Sequence, residues 1–141
     1  MEPFRVLAGL PGTGPWPEQF STTGRGTHRE GFVVEFNTDT DSAWVGNFQR
    51  GWTSYEAVFL HPDDQSVIVI AGGQGYVVDL KDRRAVGILS DQLESAIVLP
   101  DLKAVVLNNG IRLEAYGKAG LLWRTPRISW DGIWDFREEA G

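Results

Sequence analysis

Gly75-Tyr76-Val77-Val78-Asp79-Leu80 decides how this chain is read, because its pattern occurs three times. Gly31-Phe32-Val33-Val34-Glu35-Phe36 precedes it and Gly110-Ile111-Arg112-Leu113-Glu114-Ala115 follows it, glycine matched to glycine. Each copy runs into a polar turn and a second apolar strand, so one hairpin is used three times. Upstream of the second and third copies, Val58-Phe59-Leu60-His61-Pro62-Asp63 and Ile97-Val98-Leu99-Pro100-Asp101 match about their prolines. The repeating unit is strand, Pro-Asp turn, strand, glycine turn, strand, polar turn, strand.

The same grammar extends along the chain. Short apolar runs at 32–36, 43–48, 57–60, 67–71, 76–80, 85–89, 96–99, 104–107, 111–116 and 121–123 are rich in Val, Ile and aromatics and bounded by Asp, Asn, Gly and Pro, the composition and spacing of strands and turns. No window keeps a helical period through three turns; the best candidate, 90–95, spans a single turn. Residues 9–31, with their glycines and prolines, read as a loop that is either functional, in part disordered, or the carrier of a short strand around Gln19 to Thr22. The chain is thus one β domain over 1–141: a Gly/Pro-rich loop at 9–31, repeat units at 31–124, and an aromatic and acidic segment at 125–141. Four short strands every 35 to 44 residues, together with His61-Pro62-Asp63 and the closing Asp79-Leu80, resemble the blades of WD-type β-propellers. About three units fall short of the four or more blades that close a ring. The expected fold is therefore all-β, an antiparallel meander or small sandwich of blade-like hairpin units, whose open edges are covered by twist or by assembly between chains.

The totals narrow the chemistry. A chain of 141 residues can bury a proper core. The absence of cysteine excludes a disulfide framework, a thiolate metal site and a Cys nucleophile, and suits a reducing compartment. After Arg5 only three apolar residues precede Gly9, which is neither a signal peptide nor a spanning segment, so a cytoplasmic protein without membrane contact is expected. A net charge of −6 has the wrong sign for counterion release from nucleic acid and favours a basic partner.

Candidate catalytic motifs fail on their own residues. Gly9-Leu-Pro-Gly-Thr-Gly14 is followed by Pro15-Trp16 where a phosphate loop needs Lys and Ser or Thr. Asn37-Thr-Asp39-Thr-Asp41 begins like a calcium loop, but Ser42 replaces its glycine and Phe48 its glutamate. His28 and His61 are the only histidines, and no serine sits in a nucleophile elbow. The reading is of a protein that is no enzyme and needs no cofactor or metal.

Binding residues are more legible. Strand alternation, applied to the three copies, puts Phe32/Val34/Phe36, Tyr76/Val78/Leu80 and Ile111/Leu113/Ala115 on one face and Glu35, Asp79 and Glu114 on the other. That face is either simply solvated or an acidic stripe presented to a basic partner. The segment Trp130-Asp131-Gly132-Ile133-Trp134-Asp135-Phe136 is either a core or edge strand, or a contact anchored by Trp130 or Trp134 with Asp131 and Asp135 on its rim.

Trp44-Val-Gly-Asn-Phe-Gln, Ala71-Gly-Gly-Gln-Gly-Tyr-Val-Val-Asp and Trp123-Arg-Thr-Pro-Arg-Ile-Ser-Trp-Asp-Gly-Ile resemble stretches of small bacterial proteins of unknown role, some of which look like the immunity partners of secreted toxins. The resemblance implies a cytoplasmic immunity protein that binds and occludes a cognate protein toxin, and a fold whose last strand or two lie beyond Gly141. On that reading Glu35, Asp79, Glu114, Trp130, Asp131, Trp134 and Asp135 are the contact residues. Two alternatives stand beside it: a self-assembling interaction protein, and a metal-assisted hydrolase using the Asp-rich turns with His61.

Overall fold

The computed structural model describes residues 4–14, 16–22 and 30–125. Regular structure among them consists of twelve strands and one 3-10 turn at Pro100–Leu102: β1 (Phe4–Val6), β2 (Glu18–Phe20), β3 (Phe32–Phe36), β4 (Trp44–Phe48), β5 (Ala57–Leu60), β6 (Ser66–Ala71), β7 (Gln74–Asp79), β8 (Arg84–Ile88), β9 (Ser95–Leu99), β10 (Ala104–Asn108), β11 (Leu113–Gly117) and β12 (Gly120–Arg124). They form three four-stranded sheets. The second (β5-β6-β7-β8) and third (β9-β10-β11-β12) are up-and-down meanders, while the first runs β1-β3-β4-β2 with β2 parallel to β4.

The sequence of β6 explains how the sheets are arranged. Ser66–Ala71 is buried along its whole length, as befits an apolar run covered on both faces. On one face Val67, Val69 and Ala71, with Tyr76 and Val78 of β7, pack against Phe20, Phe32, Val34, Phe36, Trp44 and Phe48 of the first sheet. On the other, Ile68 and Ile70 pack against Leu93, Val105 and Leu107 of the third. The sandwich thus has three layers, with the second sheet in the middle. Its first interface is aromatic: Phe20 stacks on Phe48 at 4.3 Å and Phe36 on Trp44 at 4.4 Å, and Tyr76 meets Phe48 edge-on at 5.2 Å. Such pairs add about 0.5–1.5 kcal/mol beyond their buried area.

The second and third sheets are copies of one unit at a spacing of 38 residues, that of Pro62 and Pro100. Val67 pairs with Val78 as Val105 pairs with Tyr116, and the bulge between Val77 and Val78 recurs between Ala115 and Tyr116. The glycine common to both is the turn glycine, Gly72 and Gly110, each with positive φ, a conformation cheap only without a Cβ. Matching Gly75 to Gly110 instead gives a spacing of 35, three residues short. An odd displacement in a strand reverses which face every side chain occupies.

Candidate partner-binding surface

That reversal sets Glu114 apart from the face read for it, and the other two candidate carboxylates lie in different sheets. Glu35 lies on the face of the first sheet turned away from the middle layer, opposite Arg5 in the register, and accepts a 2.6 Å hydrogen bond from the Arg5 guanidinium. This hydrogen bond and the Glu35 charge raise the Arg5 pKa. Asp79 ends β7 and is consumed by the turn that follows: its Oδ1 accepts from the Lys81 and Asp82 amides at 2.9 and 2.8 Å. Glu114 pairs with Leu107 in the ladder, which turns it toward the middle layer, and its side chain is only 10% exposed. Arg124 neutralises it through Nε, and burial first, then the Glu114 charge, raises the pKa of neighbouring Tyr116. The structure brings no two of these carboxylates together, and each has a partner within the chain. Trp130, Asp131, Trp134 and Asp135, like His28, lie outside the described residues.

The remaining motifs resolve into turns. Residues 37–43 join β3 to β4 with Asn37 and Asp39 in positive φ. His61 is buried, and its Nδ1 accepts the Asp63 amide at 2.9 Å. Asp63 in turn accepts from the Gln65 and Ser66 amides and the Ser66 hydroxyl, each at 2.9 Å. Burial pushes the Asp63 carboxyl up, but these hydrogen bonds together with His61 outweigh it, and its pKa is lowered. Among the described residues no three His, Asp or Glu side chains converge.

A different residue emerges at the end of the stack that carries the glycine turns. The connection between β4 and β5 crosses the β6–β7 turn and is held by three consecutive amides, two on that turn and one on the β8–β9 connection: Gly51 donates to Ala71 O, Thr53 to Gly72 O and Trp52 to Asp91 O, all at 3.0 Å. The Thr53 hydroxyl adds a 2.6 Å bond to Leu93 O, and the Gly73 amide returns one to Tyr55 O. Packing is so close that a Cβ on Gly51 would lie 2.5 Å from Asp91 O and 2.9 Å from the Gln74 amide nitrogen. The backbone of Trp52 is therefore rigid, yet its side chain is 80% exposed. Glu56, Asp91 and Glu94, all exposed, belong to this connection and to the equivalent one between β8 and β9; Arg50 is paired with Glu56 at 2.5 Å.

Trp44, which is 3% exposed, lies in the apolar run 43–48, whereas Trp52 falls in the polar connection after it, where local sequence does not say whether a lone aromatic is packed or presented. The one available signal was the glycine before it, which marks a close backbone approach. No family model, curated protein or solved structure matches the chain, and its own geometry is what identifies this surface.

Proposed function

We propose that the protein is a non-catalytic binding module, in concrete form an immunity-type protein that covers the active site of a cognate protein toxin, with Trp52 as its anchor and Glu56, Asp91 and Glu94 around it. The observation that carries this reading is an 80% exposed tryptophan on a backbone fixed by three successive hydrogen bonds. A pre-ordered aromatic loses little conformational entropy on binding, and tryptophans dominate interface energetics for that reason among others. A net charge of −6 suits a partner whose active site is lined with cations, as nucleic-acid and nucleotide-processing toxins require. The acidic contacts are, in place of Glu35, Asp79 and Glu114, the exposed Asp91, whose backbone carbonyl accepts from the Trp52 amide, and the exposed Glu94, next to Leu93, whose carbonyl accepts from the Thr53 hydroxyl.

The test is affinity capture with the tagged chain, identification of a stoichiometric partner, and titration of that partner against variants. Trp52→Ala is expected to weaken binding by roughly 30-fold or more, the loss of an anchor worth about 2 kcal/mol. Asp91→Lys with Glu94→Lys should slow association and flatten its salt dependence. A partner that binds Trp52→Ala as tightly as the parent would remove this surface from the interface.

A further inference from the structure

The repeat is broken at one turn. The second and third sheets keep their spacing of 38 residues as far as Asp79 and Gly117, but Asp79 pairs with Arg84 and Gly117 with Gly120. The turn between β7 and β8 therefore holds four residues where its counterpart between β11 and β12 holds two. Since the third sheet closes the same hairpin on the shorter turn, Leu80-Lys81-Asp82-Arg83 is longer than the fold requires. Insertions of this kind in repeated units gather on faces that bind. The enlarged turn meets residues 37–43, which join β3 to β4, at the end of the middle sheet opposite to its glycine turn and Trp52. Asn37, Ser42, Leu80, Lys81 and Arg83 line a cleft there of about 340 Å³.

Arg83 is anchored at both ends. Its amide donates to Asp79 O at 2.9 Å, and its guanidinium carbon stands 5.9 Å from the centroid of the Trp44 ring, a cation–π contact to a buried indole. Its φ is 54°, in the left-handed region where glycine or asparagine is the cheap choice and a long side chain is uncommon. Asn37, across the cleft, has φ 53°. Neither Lys81 nor Arg83 has an ion-pair partner among the described residues. Of the acids in the two turns, Asp79 accepts the Lys81 and Asp82 amides, Asp39 lies 3.9 Å from Arg5, and Asp41 and Asp82 are exposed and do not line the cleft. In a chain of net charge −6 the cleft is a local cationic exception, and Leu80, packed against the aromatic core, gives it an apolar wall.

We propose that this cleft binds a small phosphate monoester, with Arg83 and Lys81 meeting the phosphate and Leu80 the group esterified to it. A forked guanidinium and an ammonium together match the charge and oxygens of a phosphate dianion, and the volume is that of a small-molecule site. The site is independent of the Trp52 surface at the other end of the middle sheet. The test is titration of the isotope-labelled full chain with inorganic phosphate, phenyl phosphate and acetate at constant ionic strength, followed by NMR. Saturable shifts of the amides in 37–42 and 80–84 are expected, with phenyl phosphate binding several-fold more tightly than inorganic phosphate and acetate several-fold less tightly. Shifts that never saturate, or that appear equally at Lys103 and Lys118, overturn the site. Acetate binding as tightly as inorganic phosphate overturns the phosphate assignment, and a phosphoserine peptide binding more tightly than phenyl phosphate overturns the small-molecule ligand in favour of a protein. Arg83→Gly suits the positive φ, so it is expected to keep the parent's thermal midpoint or raise it. The same substitution should weaken phenyl phosphate binding roughly tenfold or more, the loss of a charge-assisted pair. Lys81→Gln should weaken it several-fold. Parent-like affinity in folded Arg83→Gly overturns the proposal.

Discussion

Asp63 shows one of two jobs that acidic side chains do in this protein, the other being the arginine pairs of Glu35, Glu56 and Glu114. It satisfies two backbone amides and a hydroxyl in the turn between β5 and β6, and Asp79 repeats the arrangement after β7. Asp63→Ala is expected to cost about 1–3 kcal/mol in urea unfolding, since the Ser66 amide and hydroxyl it leaves are partly buried. Its carboxyl has a lowered pKa, so the charged form adds stability above the ordinary value of 3.8 and that contribution is lost as the pH falls through the folded-state value. The parent's advantage over Asp63→Asn should accordingly shrink in acid. Tyr76 works in the opposite range. Burial pushes its pKa up to about 12, and its hydroxyl donates to Gln49 O at 2.7 Å. Below pH 10 both folded and unfolded phenols are protonated; above it the unfolded chain ionises first, and stability falls until the folded group also titrates. Tyr76→Phe is expected to cost about 1 kcal/mol at neutral pH and to reduce the slope of stability between pH 10 and 12.

At the scale of elements, strands were legible and their pairing partly so. Phe32–Phe36 and Ala57–Leu60 fall where alternation and flanking turn residues place them, and of the three readings left open for residues 9–31, the one with a short strand around Gln19 to Thr22 corresponds to β2 (Glu18–Phe20). Phe4–Val6 was not legible because three residues hold no period, and it becomes a strand only by pairing with β3. The glycine turns illustrate a further limit. Gly72 and Gly73 both adopt positive φ, the two-residue hairpin geometry that Gly-Gly suits, but what rests on that turn, the Trp52 connection, comes from distant sequence. A Cβ on Gly73 would lie 2.4 Å from the Thr53 hydroxyl oxygen. Gly73→Ala is therefore expected to destabilise by about 1–3 kcal/mol through the left-handed backbone. It should also speed hydrogen exchange of the Trp52 amide, and unchanged exchange would mean that the connection does not depend on the turn.

For the molecule as a whole, the middle sheet couples two cores, because alternate residues of β5, β6 and β7 enter each. Leu93, fully buried between the second and third sheets, is the position where a cavity tests this coupling. Leu93→Ala is expected to cost about 2–5 kcal/mol. Near-UV signals of the aromatic interface between the first and second sheets should shift to the same lower midpoint as the far-UV transition, since cooperative unfolding carries both cores together. Two separated transitions would mean that the layers melt independently.

The sequence by itself determined an all-β chain of short strands in about three blade-like units, because alternation, β-branched residues and turn formers act over a few residues and need no distant partner. It also exposed the Pro62–Pro100 spacing that the second and third sheets obey. The facing of the carboxylates was decided only by tertiary structure: a shift of three residues between two plausible alignments is invisible to composition, yet it turns Glu114 from an outer face to an inner one. Exposure was decided there as well. Trp44 and Trp52 are chemically identical, and what buries one and presents the other is the close approach of three sheets whose strands lie far apart along the chain.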